Sequence, residues 1–264
     1  MLNGQTRLYP IIGDPIVYVK SPERLSASFA AAGHNGLCVP MQVPKGDLDT
    51  AIRGLSRIAN IDGLLVTMPH KFAAFAYCAT SSTTAQRLGV VSVMRRNSDG
   101  SWHGDMLDGF AFVKAQIDAG AVLDEARVLL VGAGGAGGAI AIAMLASGVR
   151  ELVISDIDQG RVAKLIALLP NDIPARVSAG PADPTGFDVV CNATPMGMAA
   201  GDPLPVPAQL LKAPLFVGDV IAGHGETEFI RAARLNGCKT AGGDQMVEAV
   251  QQMMVEFMLD GRRA

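Results

Sequence analysis

Residues 126–139, ARVLLVGAGGAGGA, decide the fold of this chain. Residues 128–131 form a short apolar run, which is typical of a buried parallel strand and too short for a helix. The run leads directly into Gly132, Gly134 and Gly137, which match the pattern G-x-G-x-x-G. Residues 139–147 then predict a helix that is closed by Gly148. The stretch therefore predicts a strand, a glycine-rich turn and a helix, which is the unit that binds the diphosphate of a dinucleotide.

Each glycine of this turn has a physical reason. A diphosphate can approach closely only where side chains are absent, and backbone N–H groups and the helix dipole stabilise its charge. Gly132 permits the tight turn, Gly134 the close approach of the ligand, and Gly137 the close packing of helix on strand. The alternative is a glycine- and alanine-rich helix start in another kind of α/β protein. The sequence that follows argues against that alternative.

A second apolar run, residues 151–155, predicts another strand, and it ends in Asp156. An acid about 20 residues after the glycine-rich turn can accept hydrogen bonds from both ribose hydroxyls of NAD. The same carboxylate would repel the 2′-phosphate of NADP. Asp158 adds to this repulsion, and Arg161 is the nearby cation. We therefore predict NAD as the cofactor, with NADP less favoured.

Composition excludes several classes of function. The 264 residues are 49% hydrophobic and 18% charged, with a net charge of −3, and no basic cluster predicts nucleic-acid binding. The four cysteines are scattered, and His70 and His103 lack acidic or cysteine partners at ligand spacing, so we predict no metal site and no disulfide. No signal-peptide pattern and no uninterrupted apolar span is present, so we expect a cytoplasmic chain without a membrane segment. We expect a monomer or a homodimer.

Strands alternate with helices before residue 104 and again after residue 127, which predicts an α/β fold in two parts. In the first part, Ser21 is predicted as an N-cap, residues 72–80 as a helix and residues 97–100 as a hairpin turn. Asp108 is predicted to cap the next helix. The last helix, about residues 245–259, carries a methionine-rich stripe that is typical of core, and we expect it to pack on the first part.

A series of motifs resembles the shikimate dehydrogenase family, in the family's order and over nearly the whole chain. They are GDPI at 13–16 with KSP at 20–22, VTMPHK at 66–71, Asp108-Gly109, the glycine-rich turn, NATPMG at 192–197, Asp219 with Thr227, and Gly242-Gly243. The resemblance implies a substrate domain, residues 1–104 plus 243–264, and a doubly wound Rossmann domain that binds NAD, residues 105–242. It also implies an active site in the cleft, and a place in the shikimate pathway of aromatic amino acid biosynthesis or in quinate metabolism.

The resemblance makes Lys71 and Asp108 the catalytic pair. Moving a hydride from a secondary alcohol to nicotinamide requires the hydroxyl proton to leave at the same time, so a positioned acid/base is needed. A free lysine titrates at about 10.4, and a dry cleft favours its neutral form. A neighbouring carboxylate acts in the opposite sense, so orienting the ammonium and the substrate is its better role. The alternatives are a solvated lysine near a helix start and a simple N-cap.

The resemblance also implies the binding residues. Ser21 and Thr67 match positions that hold substrate oxygens in the family, although Ser21 could do no more than cap its helix. Ser92 and Gln245 are also predicted to bind the substrate. Asn192 matches the loop near the nicotinamide ribose, and it could equally be an ordinary strand-end turn residue. The predicted cofactor-binding set is Gly132, Ala133, Gly134, Gly135, Ala136, Gly137, Asp156, Asp158, Asn192, Ala193, Thr194, Pro195, Met196, Val220 and Gly243.

Departures from the family pattern concentrate on the substrate pocket. Apolar or smaller residues replace polar ones at Val19, Leu65, Ser92, Val93, Met106, Leu107, Ala222 and near Ala249. Each substrate group that loses its partner costs about 1–3 kcal/mol of binding free energy, so we predict a roomier, less polar pocket. The predicted reaction is hydride transfer between NAD and a ring hydroxyl of shikimate, quinate or a related hydroxy acid. The alternative is an NAD-binding sensor or scaffold whose catalysis has lapsed, and the retention of both Lys71 and Asp108 argues against it.

Overall fold

The computed structural model describes residues 2–17, 19–169, 174–199 and 201–260. The chain divides into two compact units, which we call the first unit (Met1–Leu107 with Gln251–Ala264) and the second unit (Asp108–Val250). Each contains a six-stranded sheet with helices. The α/β fold predicted from the alternation of strands and helices is confirmed. The divisions at 107/108 and 250/251 lie three and eight residues beyond the predicted domain limits at 104/105 and 242/243.

The sheet of the first unit is mixed, with the strand order β2-β1-β3-β5-β6-β4. The parallel pairs are β1 with β2, β1 with β3 and β4 with β6, whereas β5 runs antiparallel to β3 and β6. The strands are β1 (Arg7–Gly13), β2 (Gly36–Gln42), β3 (Gly63–Val66), β4 (Cys78–Ser81), β5 (Val93–Arg96) and β6 (Trp102–Asp105). The helices are α1 (Ser21–Ala31), α2 (Leu48–Leu55), α3 (Lys71–Phe75) and α4 (Thr83–Leu88), with a 3₁₀ turn at Lys45–Asp47.

Two local predictions in this unit have different outcomes. The hairpin is confirmed, because β5 and β6 are antiparallel and residues 97–100 turn between them, with Gly100 at a φ of 82°. The helix predicted over residues 72–80 is wrong in its second half, because α3 ends at Phe75 and residues 78–81 form β4 on the edge of the sheet. β4 pairs in parallel with β6, where Cys78 is level with Trp102 and Ser81 is level with Gly104. This strand depends on a partner distant in sequence, which periodicity does not reveal.

The sheet of the second unit is entirely parallel, with the order β9-β8-β7-β10-β11-β12. This is the doubly wound order, and its direction of winding reverses between β7 and β10, where such folds bind their ligands. The strands are β7 (Arg127–Val131), β8 (Glu151–Ser155), β9 (Arg176–Ala179), β10 (Val189–Asn192), β11 (Phe216–Asp219) and β12 (Lys239–Ala241). The helices are α5 (Asp108–Asp118), α6 (Gly135–Ala146), α7 (Gln159–Leu168) and α8 (Glu228–Leu235), with a 3₁₀ turn at Ala208–Leu210. The predicted Rossmann-type sheet is confirmed, whereas α8 and β12 were not predicted.

The last helix, α9 (Gly243–Asp260), begins in the second unit and ends in the first. From Gln251 onward the helix belongs to the first unit, whereas its residues 243–250, which were predicted to belong there too, lie in the second unit. A Cβ at Gly63 of β3 would meet the sulfur of Met258, and the ring of Phe257 lies 5.9 Å from that of His103 and 5.2 Å from the Arg95 guanidinium carbon. Among the helices that the structure describes, none combines the length and the apolar character that a membrane crossing requires.

Candidate dinucleotide site and catalytic residues

The glycine-rich turn has the geometry that its sequence predicts. Gly132 follows β7 with a φ of 111°, and a Cβ there would lie 2.8 Å from the backbone of Ala193. A Cβ at Gly137 would overlap the carbonyl oxygen of Gly132, so α6 can pack on the turn only with glycine there. A Cβ at Gly134 would meet nothing within 4 Å. Gly134 therefore leaves open space beside the first N–H groups of α6, where a diphosphate fits.

Asp156 lies at the end of β8 and contacts this turn. Its Oδ2 accepts a hydrogen bond from the Ala133 N–H at 2.7 Å, and its Oδ1 accepts one from the Asp158 N–H at 2.9 Å. Each carboxylate oxygen can accept a second hydrogen bond. Asp156 therefore fixes the turn and retains acceptor capacity for ribose hydroxyls, so the residues present fit a dinucleotide.

Asp158 has a structural role that the sequence did not assign. It is the N-cap of α7, and its Oδ1 accepts hydrogen bonds from the N–H groups of Gly160 and Arg161 at 2.9 and 3.2 Å. The Arg161 Nε lies 3.4 Å from its Oδ2. Arg161, the nearby cation, is thus paired with the Asp158 carboxylate. Ile157, between Asp156 and Asp158, is fully exposed. The predicted cofactor contact of Asp158 stays a prediction.

Asn192 ends β10 beside the same turn, and its side chain is fully engaged within the protein. Its Nδ2 donates to the carbonyl of Met196 at 3.1 Å and to the Asp219 Oδ1 at 3.0 Å. Its Oδ1 accepts from the Thr194 N–H at 3.0 Å and from the Thr194 hydroxyl at 2.6 Å. These four bonds use the whole capacity of the amide. Asn192 therefore shapes the loop that follows it, and direct contact of its side chain with a cofactor would need one of these bonds to break.

The loop after Asn192, residues 193–197, lies against the glycine-rich turn. A Cβ at Gly132 would be 2.8 Å from the Thr194 Cγ2 as well as from Ala193. The Thr194 hydroxyl also accepts the N–H of Met196 at 3.0 Å. Ala193, Thr194 and Met196 are therefore held at the carboxyl ends of β7 and β10, and Pro195 is exposed on the same loop. This is the place where a doubly wound sheet binds its ligand.

Asp219, at the end of β11, is completely buried. Besides Asn192, its carboxylate accepts the Ile221 N–H at 3.2 Å and the Thr227 hydroxyl at 2.7 Å. Burial raises the pKa of Asp219, and the hydrogen bonds from Thr227, Ile221 and Asn192 oppose that rise. Sequence reasoning had noted Asp219 only as part of a motif. The pairing of two polar residues at the ends of adjacent strands was the signal that could have identified the network.

Val220 and Gly243, both predicted to bind the cofactor, lie together in the second unit. A Cβ at Gly243 would be 2.6 Å from the carbonyl oxygen of Val220, so α9 begins in close contact with the segment after β11. Gln245, predicted to bind substrate, accepts the Gly242 N–H at 2.8 Å with its Oε1. That bond stabilises the start of α9, and the substrate contact of Gln245 stays a prediction.

Thr67 and Lys71 lie close in sequence after β3 in the first unit. The Thr67 N–H donates to the Ile12 carbonyl at 3.0 Å, and the Thr67 carbonyl accepts the His70 N–H at 2.9 Å. Lys71 begins α3, and its carbonyl accepts the Val91 N–H at 3.0 Å. His70 is buried, and its ring Nε2 donates to the Val43 carbonyl at 2.7 Å, which is a packing role. Thr67 and Lys71 therefore lie on one turn, which backbone hydrogen bonds join to Ile12 of β1 and to Val91.

Asp108 is the first residue of α5 in the second unit. The next residue, Gly109, packs directly on the backbone of Ala139 in α6, the helix that begins at the glycine-rich turn. The start of α5 is thereby fixed relative to the candidate dinucleotide site. Lys71 belongs to the first unit, and the pairing of Lys71 with Asp108 stays a prediction.

The remaining predicted substrate residues differ in their surroundings. The prediction that Ser21 is the N-cap of α1 is wrong. Lys20 occupies the cap position without a side-chain hydrogen bond, and Ser21 is already the first helical residue. Ser92 is buried, and its hydroxyl accepts the Leu107 N–H at 3.0 Å, one residue before Asp108. Ser92 therefore holds the backbone that leads to Asp108, and its contact with substrate stays a prediction.

The apolar replacements in the family pattern are packed side chains. Four of them are at most 8% exposed: Leu65, Val93, Met106 and Leu107. No group of three or more His, Cys, Asp or Glu side chains within the described ranges is arranged to hold a metal ion. Polar contacts with a substrate would therefore come from the polar residues named above and not from these four apolar side chains.

Comparison with known proteins identifies the family. The family model "Shikimate dehydrogenase substrate binding domain" matches residues 11–94. Over 252 residues, the chain is 37% identical to "Shikimate dehydrogenase (NADP(+))" of Rubrobacter xylanophilus, an alignment that covers 93% of this chain and 88% of the relative.

The chain belongs to the shikimate dehydrogenase family.

Solved structures of the shikimate dehydrogenase family share the fold. The shikimate 5-dehydrogenase of Listeria monocytogenes, in complex with shikimate and NAD, has a TM-score of 0.90 at 25% identity and covers 98% of this chain and 93% of its own. The quinate dehydrogenase of Corynebacterium glutamicum, in complex with NAD, has a TM-score of 0.83 at 28% identity and covers 97% and 94%. The family and the fold predicted from the motifs are therefore confirmed.

Proposed function

We propose that this protein is a shikimate dehydrogenase-like oxidoreductase, which transfers a hydride between NAD and a ring hydroxyl of shikimate, quinate or a related hydroxy acid. One observation carries the proposal: the turn from Gly132 to Gly137 meets Asp156 at the carboxyl ends of β7 and β8. That arrangement fits a nicotinamide dinucleotide. The relative that shares 37% of its residues is named a shikimate dehydrogenase, which supports the reaction.

The proposed chemistry divides the work between two residues. When bound, NAD would supply nicotinamide C4 as the acceptor of a hydride, which is the hydrogen of the carbinol C–H bond together with both bonding electrons. The amine of Lys71 takes the hydroxyl proton as the C–O bond becomes a carbonyl, and in the reverse direction its ammonium returns that proton. Asp108 orients the ammonium and the substrate hydroxyl. Thr67, four residues before Lys71, is suited to hold a second substrate oxygen.

The choice of NAD over NADP belongs to this proposal. Asp156 is rigidly held by the Ala133 N–H, and the neighbouring Arg161 is paired with Asp158, so a 2′-phosphate would face two carboxylates. The Rubrobacter relative is named for NADP(+), whereas the Listeria and Corynebacterium structures contain NAD. The residues of this chain favour NAD on electrostatic grounds.

Substitution of Lys71 tests the division of work. In Lys71→Ala, turnover with shikimate or quinate should fall by about 10²–10⁴-fold, because proton transfer is lost, and NAD affinity measured by calorimetry should be unchanged. Lys164→Ala, which removes an exposed lysine on α7, is the matched control and should turn over like the parent. If Lys71→Ala retains parental turnover, the assignment of Lys71 is wrong. If the parent turns over neither hydroxy acid nor related ring alcohols, the proposed activity is wrong.

A further inference from the structure

The carboxylate of Asp219 connects three separate segments of the second unit. Its register partner on β10 is Asn192, and Asn192 is in turn level with Val131, the last residue of β7. Through the Ile221 N–H the carboxylate also holds the segment after β11, and through Thr227 it contacts the N-cap of α8. One side chain thus fixes the ends of neighbouring strands on the side of the sheet where the glycine-rich turn lies.

This carboxylate is unusual because it is buried without a cation. Asp219 is 0% exposed, and among the described residues no Lys, Arg or His lies within ion-pair distance of it. Neutral donors alone satisfy its oxygens. Burial of a carboxylate costs free energy unless such donors are held in place, so a purely structural requirement would be met as well by a neutral or apolar residue. The arrangement favours a role in precise positioning.

The hydrogen bonds lead from Asp219 to the cofactor side in a continuous chain. The Asp219 Oδ1 accepts a hydrogen bond from the Asn192 Nδ2 and so orients the amide. The Oδ1 of the same amide accepts hydrogen bonds from the Thr194 N–H and hydroxyl. Thr194 in turn lies against Gly132 of the glycine-rich turn. If the Asp219 acceptor is lost, the Asn192 amide can rotate, and the two bonds that define the start of loop 193–197 are lost with it.

We propose that Asp219 is a positioning residue, which acts through Asn192 to set loop 193–197 against the glycine-rich turn and thereby orients the nicotinamide half of the dinucleotide. This inference rests on the proposed function. The adenosine diphosphate half depends on the turn itself and on Asp156, whose contacts do not involve Asp219. The two halves of the cofactor should therefore respond differently when Asp219 is changed.

The test compares the affinities of NAD and ADP in Asp219→Leu. Leucine has the same number of side-chain heavy atoms as aspartate, although it is bulkier, and it leaves the buried Asn192 donor unpaired. NAD affinity should fall by about 10-fold or more, kcat should fall with it, and ADP affinity should stay within about twofold of the parent. Asp219→Asn keeps an acceptor oxygen for Asn192 and should recover most of the loss. If Asp219→Leu does not yield folded protein, Asn192→Ala should give the same split between NAD and ADP.

Thr227→Val is the matched control. It removes the bond to the opposite carboxylate oxygen and the cap of α8, so it should lower the Tm while leaving the ratio of NAD to ADP affinity unchanged. Equal losses of NAD and ADP affinity in Asp219→Leu, or an unchanged NAD affinity, would overturn the proposal. A parent protein that binds ADP and NAD but turns over no hydroxy acid would contradict the proposed function instead, and the positioning role would still be judged by the affinity ratio.

Discussion

Under the proposed function, the residues directly after β8 select NAD over NADP. Asp156 provides the negative charge, and the fully exposed Ile157 stands where a cation could accept a 2′-phosphate. The change Asp156→Asn with Ile157→Arg removes one charge, keeps an acceptor for the Ala133 N–H, and adds a guanidinium suited to phosphate. We expect the ratio of kcat/KM for NADP to that for NAD to rise by about 10- to 100-fold. Ile157→Ala alone should leave the ratio nearly unchanged, and an unchanged ratio in the double variant would show that charge at this position does not select the cofactor.

Ser92 illustrates a residue whose role differs from its motif. Because its buried hydroxyl accepts the Leu107 N–H, Ser92→Ala leaves a buried donor unpaired. We expect the free energy of unfolding, measured with urea, to fall by about 1–3 kcal/mol. Ser28→Ala removes a half-buried hydroxyl that bonds only within α1 and should cost at most about 0.5 kcal/mol. A Ser92→Ala variant of parental stability with a raised KM for substrate would contradict this role and favour direct substrate contact.

Two glycines of the glycine-rich turn, Gly134 and Gly137, are expected to have different roles, one in cofactor binding and one in packing. Gly134→Ala adds a methyl group that meets no protein atom within 4 Å, at a φ of −81° that alanine adopts freely. Its Tm should stay within a few degrees of the parent, while NAD affinity should fall by about 10-fold or more because the methyl group occupies the diphosphate's place. Gly137→Ala, by contrast, overlaps the Gly132 carbonyl and should destabilise the second unit itself. Calorimetric binding and thermal unfolding of both variants distinguish the two roles, and parental NAD affinity in Gly134→Ala would mean that the diphosphate lies elsewhere.

The amino ends of β7 and β8 carry a pH-dependent contribution to stability. The hydrogen bond from Arg127, followed by its charge, lowers the pKa of Glu151. A lowered pKa in the folded state means that the contribution is present above the unfolded value of about 4.3 and is lost as pH falls through the folded value. Glu151→Gln should therefore lose less stability than the parent between pH 7 and pH 3 in urea titrations. Asp118→Asn, at an exposed pair with Lys114, should follow the parent, and a Glu151→Gln curve parallel to that of the parent would exclude this contribution.

Over the length of the chain, the elements that could be predicted from the sequence are those that short-range patterns determine. The glycine-rich turn, the strands around it and the doubly wound sheet follow from apolar runs and glycine spacing, and the structure has them. The strand β4 could not be predicted because its pairing with β6 is a tertiary contact, and β12 has only three residues. Helix α8 was predictable but overlooked, because Thr227 is its N-cap and Phe229, Ile230 and Ala233 form its buried side. Asn192 was open to two readings because its partner Asp219 lies 27 residues away. Whether a polar side chain is framework or ligand depends on such distant partners, which a motif does not contain.

Transfer of deuterium from a hydroxy acid labelled at its carbinol carbon is the decisive test of hydride transfer by this protein. The protein is incubated with NAD and shikimate or quinate that carries deuterium at the ring carbon to be oxidised. We expect reduced cofactor with the label at nicotinamide C4, formed more slowly than from unlabelled substrate, and no formation in Lys71→Ala on the same timescale. Label released to the solvent, or no reduced cofactor from either acid in the parent protein, would contradict hydride transfer.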